Sequence, residues 1–264
     1  MNITYNNKTL TFNNSRLKIP NIIINEFFYL SGYDNGRIYK YNIDGTYTGQ
    51  YISLLEKINE FGQIYYATFV RVRDLEYYNN KFYIIENIYD SIYEFDDNWN
   101  FTGNVYSVQS KETNPEGFCI DKNNGDVYVV GRDGDAVFYY NSSFVYQSQL
   151  YNLKTIDEYF NASTIRKGND GNFYICDSFN DYIYIFDQTW AIIDTITTKV
   201  IIGPNLYGNN IYGIYQDSDN NWYGTDIDSD KVIKYNSNWE FIEIFVDNTL
   251  TDTGDSVISG IVKA

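Results

Sequence analysis

The chain has 264 residues, with 35 Asp and Glu against 19 Lys and Arg and a formal charge of −16, a balance that repels phosphate backbones and anionic headgroups and argues against nucleic acid as a partner. Hydrophobic residues make up 44% and aromatics 19%, which excludes a disordered chain and leans strongly toward strands. Histidine is absent, which removes Ser-His-Asp triads, Cys-His dyads and His-ligated zinc, while the two cysteines, Cys119 and Cys176, are too few for a disulfide framework and read as buried free thiols.

In chain order, Met1 to Leu10 holds no basic segment followed by an apolar run, so no signal peptide is visible, and Ile3 to Phe12 reads as a hairpin. No stretch approaches the roughly 18 consecutive apolar residues of a membrane span, and a soluble protein of a virion or the cytoplasm is expected. From Tyr29 onward one unit recurs. An aromatic is followed twelve residues later by a second, as Tyr29 with Tyr41, Tyr83 with Phe95, Tyr128 with Tyr140, Tyr174 with Phe186 and Tyr223 with Tyr235. Asn or Asp follows the second at once, and four units add another aromatic four residues on, at Trp99, Phe144, Trp190 and Trp239. An acid stands seven residues after the first aromatic, at Asp90, Asp135, Asp181 and Asp230, with Gly36 in its place in the first unit. Recurrence marks these acids as turn residues whose carboxylates bond nearby amides, not as catalysts. The tryptophans, Trp222 included, read as packing between or over strands. Leu54 to Phe61 has the apolar spacing of a short helix and reads as a lid or external decoration.

Each unit thus reads as strand, turn, strand, turn, strand, and the anchoring tyrosines lie 45 to 54 residues apart, the length of a four-stranded propeller blade. Five units lie roughly at 21–55, 70–110, 115–150, 161–198 and 210–246, within one propeller domain over 1–264. Ile258-Ser-Gly-Ile-Val is similar to the first-strand segment Ile211-Tyr-Gly-Ile-Tyr. The fold expected is therefore an all-β, six-bladed β-propeller in which residues 247–264 and 1–20 share the closing blade, so that no sheet edge is left open at the seam.

The unit resembles the repeat of NHL propellers, with Pro115-Glu-Gly-Phe-Cys-Ile-Asp-Lys-Asn-Asn-Gly-Asp-Val-Tyr-Val-Val, ending at Tyr140-Asn141, as its best copy. That resemblance covers about 215 residues, implies six blades, and carries architecture more than function. The same stretch is similar to the senescence-marker-protein and gluconolactonase propellers, and the likeness implies Glu116 as a ligand of a divalent metal at the channel mouth. Aligning the first strands places Asn21, Asp74, Ser163, Tyr212 and Ser259 near the same ring position, so Glu116, Asp74, Asn21 and Tyr212 are the channel-mouth binding candidates. Calcium takes six to eight oxygens and usually several carboxylates, and only Glu116 and Asp74 supply them.

These features point to a binding or assembly module without catalytic residues or cofactor, presenting blade loops to a protein or glycan within a larger assembly. Abundant Asn, Ile, Tyr and Lys suggest an AT-rich coding sequence, as in many phages and large viruses, and hence a tail, fibre or capsid decoration. The alternatives are a divalent-metal-dependent lactonase or related hydrolase using Glu116, with Ca2+ as its candidate metal, and a lectin with sugar pockets repeated between blades.

Overall fold

The aromatic and β-branched runs of each unit form strands. The computed structural model describes residues 2–5, 8–11, 26–32, 35–60, 71–133, 135–198, 210–247 and 258–264. In chain order, β1 (Asn2–Tyr5) and β2 (Lys8–Thr11) form a hairpin of their own, with Asn2 opposite Thr11. β3 (Phe27–Gly32), β4 (Arg37–Asn42) and β5 (Tyr47–Ser53) belong to blade one and lead into α1 (Leu54–Glu60). Blade two holds β6 (Val72–Tyr78), β7 (Lys81–Glu86), β8 (Ser91–Asp96) and β9 (Phe101–Ser107). Blade three holds β10 (Pro115–Ile120), β11 (Val127–Gly131), β12 (Ala136–Tyr140) and β13 (Tyr146–Asn152). β14 (Ala162–Lys167), β15 (Phe173–Asp177), β16 (Tyr182–Phe186) and β17 (Ile192–Thr197) make blade four; β18 (Ile211–Gln216), β19 (Trp222–Asp226), β20 (Lys231–Tyr235) and β21 (Phe241–Asp247) make blade five. The last strand, β22 (Ile258–Lys263), returns to blade one and pairs antiparallel with β3, giving the order β22-β3-β4-β5.

The fold is an all-β propeller, but of five blades, not six. The C-terminal strand does close the ring as a first strand, yet it completes the blade of Tyr29 instead of founding another, and among the described residues the N-terminal hairpin pairs only with itself. The seam is tied by Phe27 and Ala264, whose amides each donate to the other's carbonyl at 2.9 and 3.0 Å, so the ladder between β22 and β3 runs on to Ala264.

The five inner strands, β6, β10, β14, β18 and β22, pack side by side around the axis. They start on one face of the disk, the leading face, and end on the trailing face. Antiparallel pairing then puts every second-to-third strand turn on the leading face and the other two turns on the trailing face.

The repeated residues are explained by two left-handed backbone positions. Asp90, Asp135, Asp181 and Asp230 have φ of 50°, 46°, 59° and 54°, and Gly36 in the first blade has 62°. Their carbonyls accept the amides of Val108, Leu153, Thr198 and Leu54 in turn for Asp90, Asp135, Asp181 and Gly36. Asp is selected because its short polar side chain tolerates this conformation; the carboxylate's bonding to the turn, expected from the sequence, is supplied by other residues. At the end of the second strand Glu86 accepts the amides of Ile88 and Tyr89, Asp177 those of Phe179 and Asn180, and Asp226 that of Asp228. In blade three that strand ends in Gly131, and the buried carboxylate of Glu112 from the preceding connection takes over, accepting the amide of Asp133 at 3.2 Å. A Cβ on Gly131 would lie 2.6 Å from that carboxyl carbon.

The second left-handed position carries Trp99, Phe144, Trp190 and Trp239, with φ of 62°, 59°, 66° and 62°. Each tryptophan stacks on its own blade, Trp99 on Phe82, Trp190 on Phe173 and Trp239 on Trp222, and each reaches the anchoring tyrosine of the preceding blade, Tyr29, Tyr128 and Tyr174. These rings join neighbouring blades. Blade one has Gly45 here, because a Cβ would sit 2.1 Å from the Phe245 carbonyl of blade five. Helix α1 is neither lid nor decoration: Leu54 and Ile58, one turn apart, are buried in the core between blades one and two with Tyr29, Val72 and Leu75.

A candidate functional site at the propeller axis

Each inner strand opens with a β-bulge, between Val72 and Asp74, Pro115 and Gly117, Ala162 and Thr164, Ile211 and Gly213, and Ile258 and Ile261. The extra residue is Arg73, Glu116, Ser163, Tyr212 or Ser259, and all five are buried where the inner strands meet: Tyr212 Oη donates to Glu116, Ser163 Oγ to the Tyr212 carbonyl and Ser259 Oγ to the Val72 carbonyl. Glu116, Tyr212 and Ser163 therefore share a ring position, as the sequence suggested. Asp74 lies one residue further on, level with Gly117, Thr164, Gly213 and Gly260, and its expected place is taken by Arg73. The apolar residues flanking each bulge, Val72 and Leu75 beside Pro115 and Phe118, carry the signal that would have fixed this register. Asn21 lies outside the described residues.

Glu116 is fully buried and holds three partners. Tyr212 Oη donates to Oε2, Arg73 Nε lies 3.3 Å from Oε2, and Arg132 Nε lies 3.1 Å from Oε1. Burial raises the carboxyl pKa, while Arg73, Arg132 and the Tyr212 hydroxyl pull it back. Two guanidiniums on one carboxylate are a poor setting for a divalent cation, which would meet their charge at the distance of its own ligand. Among the described residues no group of three Cys, Asp or Glu is placed to hold a metal ion.

Deeper along the axis Asp74 accepts from both terminal nitrogens of Arg166 at 2.8 and 2.5 Å, from Thr164 Oγ1 at 3.0 Å and from the Phe118 amide at 3.3 Å. Arg166 also donates to the carbonyls of Phe118 and Leu75 and lies 3.5 Å from Glu76. Burial works against its charge, but Asp74 and Glu76 hold its pKa above the ordinary value. Glycines make this packing possible: a Cβ on Gly117 would lie 2.4 Å from Thr164 Cα, and one on Gly213 2.2 Å from the Ser259 carbonyl. The axis is thus a closely packed, charge-paired core. Arg73, Arg132, Glu76 and Arg166 were not singled out in the sequence, since no motif distinguishes an axial charge from a surface one.

Beyond Arg166 the axis opens on the trailing face into a chamber of about 230 Å³, with Glu76, Cys119, Arg166 and Tyr215 among its walls. Burial raises the pKa of Glu76, opposed by Arg166 and Lys122.

No protein-family model matches the chain, and none of the curated proteins matches it in sequence. Among solved structures it is similar to a protein of unknown function from Bacteroides caccae, at 8% identity over 90% of this chain and 98% of that one with a TM-score of 0.59. It is similar to a streptogramin B lyase at 15% identity over 82% and 72% of the two chains, TM-score 0.51, and to a chain of a nidogen/laminin complex at 11% identity over 90% and 84%, TM-score 0.57. At these identities the likeness is one of fold, and it spans an unassigned protein, a lyase and a component of a protein complex alike. No helix among the described residues is long and apolar enough to cross a membrane.

Proposed function

We propose that the protein is a non-enzymatic binding module, a rigid five-bladed disk that presents its faces to a protein or glycan partner within a larger assembly. The observation that carries this reading is the condition of Glu116, the one acid that the family resemblance offers for metal chemistry: it is buried between Arg73 and Arg132 and bonded by Tyr212. A carboxylate buried between two guanidiniums is already charge-compensated, which makes it a poor ligand for a metal or a substrate. Exposed apolar side chains support a partner surface, with Tyr159 and Phe179 paired on the leading face and Ile193, Ile242 and Ile244 on outer strands of adjacent blades. The NHL-like repeat agrees with a scaffold role, and the Asn-, Ile-, Tyr- and Lys-rich composition supports placing it in a phage or viral particle.

The test is metal content and calcium-dependent melting of the wild type and Glu116→Gln, with lactone hydrolysis assayed beside them. The expected result is no bound metal, no calcium-dependent shift, no turnover, and a lower Tm in Glu116→Gln at every calcium concentration. Stoichiometric metal with turnover lost in Glu116→Gln would overturn the proposal.

A further inference from the structure

The trailing-face chamber does not stand alone. Between blades three and four lies a cleft of about 280 Å³ lined by Tyr128, Tyr139, Phe173, Gln188 and Trp190. Chamber and cleft share two wall residues, Asp121 and Lys167, which pair at 2.6 Å and form the sill between them. The cleft is aromatic: Tyr128 stacks on Tyr139 at 5.5 Å, Trp190 on Phe173 at 4.6 Å, and Tyr128 and Trp190 meet across the blade junction at 6.0 Å. The axial chamber is polar, with Glu76 and Gln216 in its lining. Arg166 and Lys167 have their charges matched by Asp74 and Asp121, and Glu76, 3.5 Å from the Arg166 Nε at its nearest, is offset by Lys122, which also lines the chamber, so the chamber is polar and close to charge-balanced.

From this pairing we infer that the trailing face carries a two-subsite binding site for a neutral oligosaccharide, one sugar ring in the axial chamber and the next against Tyr128 and Trp190. The inference rests on the binding-module reading and names its ligand class and place. Sugar hydroxyls suit carboxylate and amide acceptors such as Glu76, Asp121 and Gln216, while the C–H face of a pyranose suits the electron-rich face of an indole or phenol. A charge-balanced lining suits a neutral ligand, and the overall charge of −16 disfavours an anionic one. Both volumes fall below the roughly 300 Å³ at which drug-sized small-molecule sites begin, so the match is to single rings joined across the sill, not to one large ligand. The corresponding cleft between blades one and two, about 420 Å³ with Tyr29, Tyr51 and Trp99, shares no residue with the axial chamber, and so provides a control within the same molecule.

The experiment is saturation-transfer NMR followed by calorimetry with cellobiose, lactose, maltose and N,N′-diacetylchitobiose, each beside its constituent monosaccharides. The expected result is that at least one disaccharide binds about tenfold or more tightly than its monosaccharides. Gln188→Trp, an exposed substitution that fills the cleft without entering the core, weakens that binding about tenfold or more, as does Glu76→Gln, whereas Tyr51→Ala in the other cleft leaves it unchanged. If no saccharide shows transfer, or if binding survives Gln188→Trp, the site is wrong while the binding-module reading stands. If the disaccharide binds there and is cleaved, the site stands and the non-enzymatic reading falls.

Discussion

At the perimeter Trp99, Trp190 and Trp239 occupy one place in three blades and do the same work in each, whereas at the axis Arg73, Glu116, Ser163, Tyr212 and Ser259 occupy one ring position and no two neighbours share a residue type. The difference follows from what each position meets. A perimeter ring touches its own blade and the one before it, so a single solution serves at every junction. An axial residue touches several strands at once, and five identical charges pointing inward would repel one another in a space closed to water. The axis is therefore asymmetric: acids from blades two and three are matched to guanidiniums from blades two, three and four, and glycines admit them where a side chain would collide with backbone. Repetition builds the disk, and departure from repetition fills its centre.

The sharpest way to break this contrast is Gly213→Val. With even a Cβ only 2.2 Å from the Ser259 carbonyl, the axis has no room to adjust, and a loss of more than about 4 kcal/mol, or no folded protein, is expected in urea titrations. An unchanged midpoint would mean that the inner strands are not close-packed. Next in size is Asp74→Ala, which leaves the guanidinium of Arg166 buried with Glu76 at 3.5 Å; the expected cost is about 3 to 5 kcal/mol, most of it recovered when Arg166→Met is added. Failure of the second substitution to compensate would show that Arg166 matters beyond its pairing with Asp74.

A pH titration probes the perimeter turn of blade two. Burial raises the Glu86 carboxyl from 4.5 to about 7, only partly offset by the Ile88 and Tyr89 amides. Between those values the folded state binds more protons than the unfolded chain, so stability is greatest below the unfolded pKa and falls as pH rises toward 7, by at most about 3 kcal/mol. Glu86→Gln should flatten that slope in chemical denaturation, and an unaltered slope would place the titration elsewhere. The smallest effect separates conformation from carboxylate at the repeated acids. At Asp230, where φ is 54° and Oδ1 is buried without a hydrogen bond, glycine should be neutral or stabilising by up to about 1 kcal/mol, while alanine should cost about 1 kcal/mol. Equal losses in thermal melts would restore the carboxylate as the reason for the repeat.

The amino-acid sequence by itself determined the blade, because strand alternation, the paired aromatics and the two left-handed turn positions are local and recur as units with a regular spacing. It also determined that the C-terminal segment is a first strand, through its likeness to Ile211 to Tyr215. Local pattern could not count the blades, since a first strand completes whichever sheet has an open inner edge, and that edge belonged to the blade of Tyr29. Nor could it place the axial charges. Glu116 and Tyr212 were brought together as the alignment suggested, but their cations, Arg73 and Arg132, look in sequence like any exposed arginine. The bulge that turns Arg73 inward, and the ring closure that sets Arg166 against Asp74, 92 residues apart, arise only when all five inner strands meet. The tertiary structure alone made that centre a closely packed core and left its open space on the trailing face.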